Sequence, residues 1–325
     1  MNENSDVRYW RMRMKYSPTG IDWAPKAWER NEVGIWYGAW SAADFHCALE
    51  NERNQKPEEY LNKTSDQKQI GWSVTKSSVD TAKRFKNIKN DDWVIVIFSA
   101  TIHLAKVEGP LTSDPDHPLN QKTHQGIELW KFRKVTDKKS FSLWWLPDFY
   151  RLIPQAGRGN VYELWGNNWE AIKFLADCSS EEDVRGIFEK MSDSDRLDFL
   201  GPKAWESLCL GYLIIEENFV PTGLIMGATL KDFDMVGRKR GTGERILAQC
   251  KKDESPILIE PGFLTAIEGA EHGTKIFYFA YRGCKGVVPP SIKVIDKENI
   301  EGWMKSGVGK GYLNSFFSNN TVHDA

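Results

Sequence analysis

The stretch KDFDMVGRKRGTGERILAQCKK, residues 231–252, decides how the C-terminal half of the chain folds. Two segments with apolar residues at alternate positions, 232–236 and 244–251, flank a turn of glycines and basic residues, a pattern typical of a β-hairpin. If the turn is centred near Thr242, Asp234 lies opposite Gln249 on the neighbouring strand. The sequence therefore predicts a hairpin in which these two side chains meet.

The two predicted faces of this hairpin differ in chemistry, because side chains alternate between the faces of a strand. One face is apolar and is expected to pack on a core. The other brings together carboxylate, amide and ammonium groups, and burying such groups without partners is costly. The apolar face carries Phe233, Met235, Ile246, Ala248 and Cys250, and the polar face carries Asp232, Asp234, Gln249 and Lys251 with Leu247. The polar face is thus a candidate functional site.

Phosphodiester hydrolysis would explain this convergence of polar groups. The reaction needs a divalent metal ion that neutralises phosphate charge and lowers the pKa of the attacking water. Mg²⁺ suits a site with oxygen donors and only one or two protein carboxylates. We expect Asp234 to be the main ligand of Mg²⁺ or Mn²⁺, with the Gln249 side-chain oxygen and the Cys250 backbone carbonyl beside it. Lys251 would stabilise the charge that develops on the phosphate.

A helix is predicted to begin at Gly201-Pro202, because proline suits the first helical position. Apolar residues recur at helical spacing after it and form one face, namely Trp205, Leu208, Cys209, Tyr212 and Leu213. Glu206 lies beside this apolar face and is a candidate to complete the set of metal ligands. A glutamate in a first helical turn also complements the helix dipole, so both interpretations of Glu206 stay open.

These residues resemble the Glu…Asp…Gln-x-Lys pattern of Mrr-like restriction endonucleases. That family is a branch of the PD-(D/E)xK nuclease superfamily in which glutamine replaces the second acid. The pattern is carried by Glu206 in Trp-Glu-Ser-Leu, Asp234 in Asp-Phe-Asp-Met-Val and Gln249-Cys-Lys251. A strand predicted over residues 275–281 fits the same core, and the resemblance covers roughly residues 200–300.

The resemblance implies an α/β (α+β) domain with a mixed sheet flanked by helices. It also implies a Mg²⁺-dependent DNA endonuclease of the restriction type, acting in prokaryotic defence as a homodimer or higher oligomer. The chain departs from the family where Thr229-Leu-Lys-Asp-Phe replaces a glycine-rich stretch. That departure leaves Asp232 as an alternative ligand, whereas the offset from Gln249 and the following Met235-Val236 favour Asp234.

The predicted turn, residues 237–243, is the densest basic cluster of the chain. We expect this turn to lie beside the nuclease site and to bind the DNA backbone in a salt-sensitive way. A solvated hairpin tip is the alternative interpretation. The candidate DNA-binding residues are Arg238, Lys239, Arg240 and Arg245.

The first half of the chain is typical of a β-rich domain. Segments of β-branched and aromatic residues between polar or Gly/Pro breaks predict strands over 33–40, 93–98, 101–107 and 127–135. Residues 9–15, 28–31, 89–98 and 104–109 resemble EVE domains of the PUA-like superfamily. That resemblance implies a small β-barrel that binds nucleic acid, in several members by recognising a modified base.

Trp36 and Trp40 are the candidate base-recognition residues. They share a face of the predicted 33–40 strand, and Gly38 between them leaves room for a flat ligand. A base flipped out of its stack needs an aromatic slot to replace lost stacking. The alternative is that both rings belong to the core, where strand aromatics usually lie.

The sequence predicts a domain boundary near residue 165. Eleven of the 14 tryptophans lie at or before Trp165, and the pattern becomes helical from Asn167, with a helix from Ser179 or Ser180 to about Met191. We therefore expect a recognition domain over residues 1–165, a helical connector over 166–200 and a nuclease domain over 201–325.

The bulk composition indicates an ordinary globular protein, because the net charge is −2 and 27% of the 325 residues are charged. Contact with nucleic acid must then come from a local basic patch. The five cysteines are scattered without a C-x-x-C pair, which is typical of a reduced protein. Residues 1–6 are polar and no apolar run approaches the ~20 residues of a membrane helix. We expect a cytoplasmic protein with no signal peptide and no membrane partner.

Three functions compete at this point. The first is a DNA endonuclease whose N-terminal domain recognises DNA, with a modified base as one candidate target. The second keeps the nuclease and makes the N-terminal domain a sensor of a small nucleotide signal. The third is a nucleic-acid-binding protein without activity, which an intact Asp234, Gln249 and Lys251 set argues against.

Overall fold

The computed structural model describes residues 7–14, 20–36, 40–67, 74–123, 126–147, 149–150, 160–164, 166–222 and 232–317. Over these residues the chain forms eleven helices and three β-sheets and divides into two units. Unit 1 comprises the described residues up to Ser142 together with 160–164, and unit 2 comprises the others. Among the described residues, none of the helices has the length and apolar character needed to span a membrane.

Unit 1 is built on a six-stranded sheet with the order β2-β7-β4-β3-β1-β8. Its strands are β1 (Tyr9–Met12), β2 (Glu32–Ile35), β3 (Trp93–Phe98), β4 (Thr101–Ser113), β7 (Lys131–Ser142) and β8 (Val161–Glu163). β1 pairs parallel with β3, and the other neighbours are antiparallel. The short strands β5 (Gln121–Thr123) and β6 (Gly126–Glu128) form a separate pair.

The prediction that the N-terminal half forms a closed β-barrel is wrong for the described residues of unit 1. Within the described residues the six-stranded sheet is open, with β2 and β8 at its edges. A barrel requires the two edge strands to hydrogen-bond to each other, whereas β2 pairs with β7 and β8 pairs with β1. The predicted strand over 93–98 is confirmed, the one over 101–107 is longer than expected, and the one over 127–135 is split between β6 and β7.

Unit 1 also contains four helices that the sequence analysis did not predict. They are α1 (Ala24–Glu29), α2 (Ala42–Glu50), α3 (Pro57–Gln67) and α4 (Lys76–Asn87). α2 begins with a capping box in which Ser41 and Asp44 each satisfy the other's backbone N–H, and Thr75 caps α4. The first half is therefore a mixed α+β unit, not a β-rich one.

Trp36 and Trp40 lie in the hydrophobic core of unit 1, and only 6% and 0% of their surfaces are exposed. The Trp36 ring contacts Trp130, with centroids 4.4 Å apart, and its indole N–H donates to the Leu119 carbonyl at 3.0 Å. The Lys131 ammonium lies 4.0 Å from the centroid of the Trp40 ring. Both indoles thus pack against buried neighbours.

Unit 2 contains the helices α5 to α11 and the strands β9 to β13. The helices are α5 (Gly166–Asp177), α6 (Glu181–Lys190), α7 (Asp193–Asp198), α8 (Pro202–Glu216), α9 (Pro261–Glu268), α10 (Lys297–Met304) and α11 (Gly307–Phe317). The strands are β9 (Phe219–Pro221), β10 (Met235–Lys239), β11 (Arg245–Lys251), β12 (Lys275–Ala280) and β13 (Ile292–Ile295). The predicted starts of α6, capped by Ser180, and of α8, with Pro202 in its first turn, are confirmed.

The sheet of unit 2 is mixed and has helices on both faces. Its order is β13-β12-β11-β10-β9, with β11, β12 and β13 parallel and β10 and β9 antiparallel. Trp205 and Tyr212 of α8 contact Tyr281 and Phe279 edge-on, with centroids 5.1 and 5.8 Å apart. On the other face Phe263 of α9 packs on Tyr278 at 5.0 Å. The carboxyl end of β11 therefore lies between α8 and α9.

Burial of Trp36 predicts that its substitution changes stability. Trp36→Ala should lower the free energy of unfolding by about 3–5 kcal/mol, the usual result of removing a large aromatic side chain from a core. The matched control is Trp144→Ala, because that ring is 65% exposed. Chemical denaturation followed by circular dichroism measures both. A Trp36→Ala protein as stable as the control would show that the ring is not part of the core.

Candidate functional site

The hairpin of β10 and β11 has the predicted register. Met235 pairs with Ala248 and Val236 pairs with Leu247, so extending the ladder by one residue brings Asp234 opposite Gln249. Asp234 precedes β10 and is fixed by two backbone contacts. Its N–H donates to the Ala248 carbonyl at 3.0 Å, and its Oδ2 accepts from the Cys250 N–H at 2.8 Å.

β10 begins later than the sequence predicted, at Met235, and this changes the positions of the residues before it. Phe233 was expected to share a face with Met235. It packs instead on Phe263 of α9, with ring centroids 5.5 Å apart, in the cluster on the opposite side of the sheet. Asp232 lies close to Gly262 of α9, where its Oδ1 is 2.8 Å from the position of an added Cβ. Asp234 is thus the aspartate next to Cys250.

Gln249 and Lys251 lie at the carboxyl end of β11, on the face covered by α9. Gln249 pairs with Tyr278 of β12 and is buried. Among the described residues, the Gln249 Oε1 has no hydrogen-bond partner. The Lys251 ammonium lies 2.9 Å from an oxygen of Glu260, the residue before α9. The polar face predicted from the sequence is therefore largely covered by a helix.

Glu206 lies on α8 and is buried, with 5% of its surface exposed. One oxygen, Oε2, accepts a hydrogen bond from the Lys203 ammonium at 2.6 Å. The other, Oε1, has no partner among the described residues. Glu206 lies beyond the first turn of α8, so the helix-dipole interpretation does not apply, and the residue carries one paired and one unpaired buried oxygen.

The two carboxyl groups of the site influence each other. Burial raises the pKa of Asp234, an effect opposed by the Cys250 N–H and by the charges of Lys251 and Lys203. Burial also raises the pKa of Glu206, opposed by Lys203 and reinforced by the charge of Asp234. Both carboxylates are therefore less stable in their ionised form than they would be in water, and a nearby cation would stabilise them.

The thiol of Cys250 interacts with the Cys209 thiol of α8. Burial raises the pKa of both groups, so both thiols stay protonated at neutral pH. A protonated thiol is a poor metal ligand. The sequence analysis assigned the backbone carbonyl of Cys250, and not its thiol, to the metal shell.

The donor set fits a hard divalent cation. Among the described residues, no three side chains of His, Cys, Asp or Glu form a metal-binding group. The candidate set instead combines two carboxylates, Asp234 and Glu206, with the Gln249 amide and the Cys250 carbonyl. Mg²⁺ keeps several waters and takes one or two protein carboxylates. The unpartnered Oε1 atoms of Glu206 and Gln249 are oxygen acceptors of the kind that such an ion requires.

The basic turn lies at the opposite end of the hairpin from this site, and the expectation that it lies beside the site is wrong. The turn precedes Arg245, the first residue of β11, whereas Lys251 is the last. A strand rises ~3.4 Å per residue, which separates the two ends by roughly 20 Å. Arg238 and Arg240 are exposed and Lys239 is partly buried. Arg245 forms an ion pair with Glu271 at 3.3 Å.

The proposed base slot of unit 1 does not have the expected geometry. β2 ends at Ile35, so Trp36 and Trp40 are not on one strand, and Gly38 lies outside the described residues. Both rings belong to the core described above. The structure thus supports the alternative interpretation in which these two residues pack.

Two residues that sequence analysis missed, Lys203 and Glu260, contact the predicted site residues directly. Lys203 precedes Glu206 by three residues on a predicted helix, a spacing that places both on one face, so its contact was predictable. Glu260 follows β11 across a loop, and its position depends on how α9 packs.

No family model matches this chain, and no curated protein or solved structure was found to match it either.

The raised pKa of Asp234 leads to a prediction about stability. Because folding raises this pKa, the protonated carboxyl stabilises the fold below the pKa of the unfolded chain, and that stability is lost as the pH rises through the pKa of the folded protein. Asp234→Asn mimics the protonated form and retains an acceptor for the Cys250 N–H. The metal-free variant should therefore have a Tm higher than wild type at pH 7.5, by roughly 2–4 °C for each 1 kcal/mol gained.

Thermal unfolding in EDTA measures this difference, with the exposed Asp253→Asn as the control. The gain should disappear at a pH low enough to protonate Asp234 in wild type. A Tm that falls on Asp234→Asn substitution, or a gain that persists at low pH, contradicts the electrostatic account.

Proposed function

We propose that unit 2 is a metal-dependent endonuclease that hydrolyses phosphodiester bonds of DNA. One observation carries the proposal. The Oε1 atoms of Glu206 and Gln249 are buried without a partner among the described residues. The hairpin register brings Gln249 opposite Asp234, and the charge of Asp234 acts on Glu206. A buried acceptor without a partner costs about 1–3 kcal/mol, and a bound ion, a bound water or a catalytic role can account for such a group.

A divalent cation would satisfy these oxygens. Asp234 and Glu206 would hold it with their carboxylates, and Gln249 and the Cys250 carbonyl would complete the protein ligands. When bound, Mg²⁺ or Mn²⁺ supplies charge neutralisation at the phosphate and an acidified water at neutral pH.

The protein orients the reacting groups with contacts that are already formed. The Cys250 N–H fixes Oδ2 of Asp234, so this carboxylate has a defined direction before any substrate binds. Lys251 is 28% exposed, and its partner Glu260 is 51% exposed, so the pair can separate at little cost. The released ammonium donates hydrogen bonds to phosphate oxygens as negative charge develops on them.

The basic turn favours a long polyanion as the substrate. Arg238 and Arg240 lie roughly 20 Å from the carboxyl end of β11. That distance corresponds to about six nucleotides along one DNA strand at ~3.4 Å each. We propose that the turn binds phosphates at this distance from the cut, and that two copies of the chain act together to cut both strands.

The first test is cleavage of plasmid DNA in Mg²⁺, unmodified or containing 5-methylcytosine or hydroxymethylcytosine. Asp234→Ala and Lys251→Ala should each lower the cleavage rate by about 10²-fold or more, because each removes a group that stabilises the transition state. Lys275→Ala is the matched control, since Lys275 also lies on a strand of this sheet and pairs with a glutamate, Glu217, at 3.2 Å.

Lys275 begins β12, so it lies away from the carboxyl end of β11, and its variant should cut at the wild-type rate. Cutting that persists in both the Asp234 and the Lys251 variants would rule out this site. If none of the three DNA substrates is cut by wild type, the proposed activity is wrong.

The second test concerns the basic turn. The double variant Arg238→Ala/Arg240→Ala should bind DNA more weakly at every sequence tested. The slope of log K against log salt should become shallower by about one for each phosphate that the turn no longer neutralises. The double variant Lys305→Ala/Lys310→Ala removes two exposed charges of unit 2 elsewhere and should keep the wild-type slope. Equal slopes in the two double variants would place the DNA away from the turn.

A further inference from the structure

Lys203 is a cation of the site that the proposed chemistry does not use. Its ammonium lies 2.6 Å from Oε2 of Glu206, one turn along α8. The glutamate side chain is 7% exposed, whereas the lysine side chain is 44% exposed. Ordinary exposed pairs at this spacing contribute little. This pair differs because its acidic partner is buried.

The charge of Lys203 acts on both carboxyl groups of the site. It donates a hydrogen bond to Oε2 of Glu206, and its positive charge also acts on Asp234. Lys251, in contrast, is paired with Glu260. Within the part of the chain that the structure describes, Lys203 is thus a cation hydrogen-bonded to a proposed metal ligand.

Lys203 and a metal ion compete for the same carboxylate. An ammonium and a divalent cation bound to one carboxylate repel each other, and at a partly buried position solvent screens this repulsion less than in bulk water. The long side chain of Lys203 lies in the first turn of α8 and is nearly half exposed, so it can leave Glu206 without moving the helix.

We propose that Lys203 is a built-in counter-ion that the divalent metal displaces from Glu206, and that the released ammonium then binds a phosphate oxygen of the nucleic acid. Metal binding and DNA binding are in this way coupled through one side chain. The inference rests on the proposed metal-dependent nuclease function and adds a residue and a linkage to it.

Metal binding tests the first half of the inference. Isothermal titration of the full chain with Mn²⁺ alone compares wild type, Lys203→Met, Lys203→Arg and the exposed control Lys190→Met. Lys203→Met removes the competitor and should bind Mn²⁺ roughly five- to tenfold more tightly, where tenfold corresponds to ~1.4 kcal/mol. Lys203→Arg keeps the charge and should stay close to wild type, as should Lys190→Met.

DNA binding tests the second half. Fluorescence anisotropy with a labelled duplex is measured in EDTA and in Ca²⁺, under conditions where no cutting is detected. Lys203→Met should weaken DNA binding in Ca²⁺ and make the salt slope shallower by about one. It should leave binding in EDTA unchanged, because Lys203 is then held by Glu206.

The outcomes separate this inference from the function on which it rests. If wild type binds Mn²⁺ and Asp234→Ala does not, the metal site stands. An unchanged or weaker Mn²⁺ affinity of Lys203→Met then overturns only the proposal that Lys203 is a counter-ion displaced by the metal. A loss of DNA affinity that is equal in EDTA and Ca²⁺ overturns the coupling. If wild type binds no Mn²⁺, or Asp234→Ala binds it equally well, both the proposed metal site and the inference fail.

Discussion

The hydrogen bond from the Cys250 N–H to Oδ2 of Asp234, 2.8 Å long, connects the two strands at the point where the candidate site begins. It fixes a carboxylate just before β10 against the end of β11, and the hairpin register then brings Gln249 opposite Asp234. Buried carboxylates are stable only where hydrogen bonds or opposite charges support them. The backbone N–H supports Asp234, and Lys203 supports Glu206. The remaining buried oxygens, Oε1 of Glu206 and Oε1 of Gln249, have no hydrogen-bond partner among the described residues, and the proposed cation would satisfy them.

Alternation of apolar and polar residues was enough to predict β11 and the register of the hairpin, and a continuous apolar run predicted β12. These features depend on local patterning and on the length of one turn. The start of β10 was not predictable in this way, because Phe233 leaves the strand pattern to pack on Phe263, which is remote in sequence. The position of Glu260 was not predictable either, because it depends on how α9 packs. The contact of Lys203 with Glu206, in contrast, follows from helical spacing alone and was within reach of the sequence.

In the N-terminal half, the sequence predicted less of the fold. Segments rich in β-branched and aromatic residues predicted β3 and the first part of β4, whereas α2 and α4 were not predicted. The signal for those helices was present in Ser41 and Thr75, which cap them. The predicted base slot required Trp36 and Trp40 to share one face of a strand. The strand ends at Ile35 and both rings are buried, so this prediction has no structural basis. Closure into a barrel depends on pairing between edge strands, which residue patterns do not encode locally.

The central claim is that Asp234, Glu206 and Gln249 form a site for a divalent cation. A crystal of the full chain soaked in Mn²⁺, with anomalous scattering data collected at the manganese absorption edge, tests it most directly. The account predicts an anomalous peak within about 2.0–2.6 Å of oxygens of Asp234 and Glu206, with Lys203 displaced from Glu206. Manganese bound elsewhere, with the Lys203–Glu206 pair intact and no peak between the two carboxylates, would contradict it.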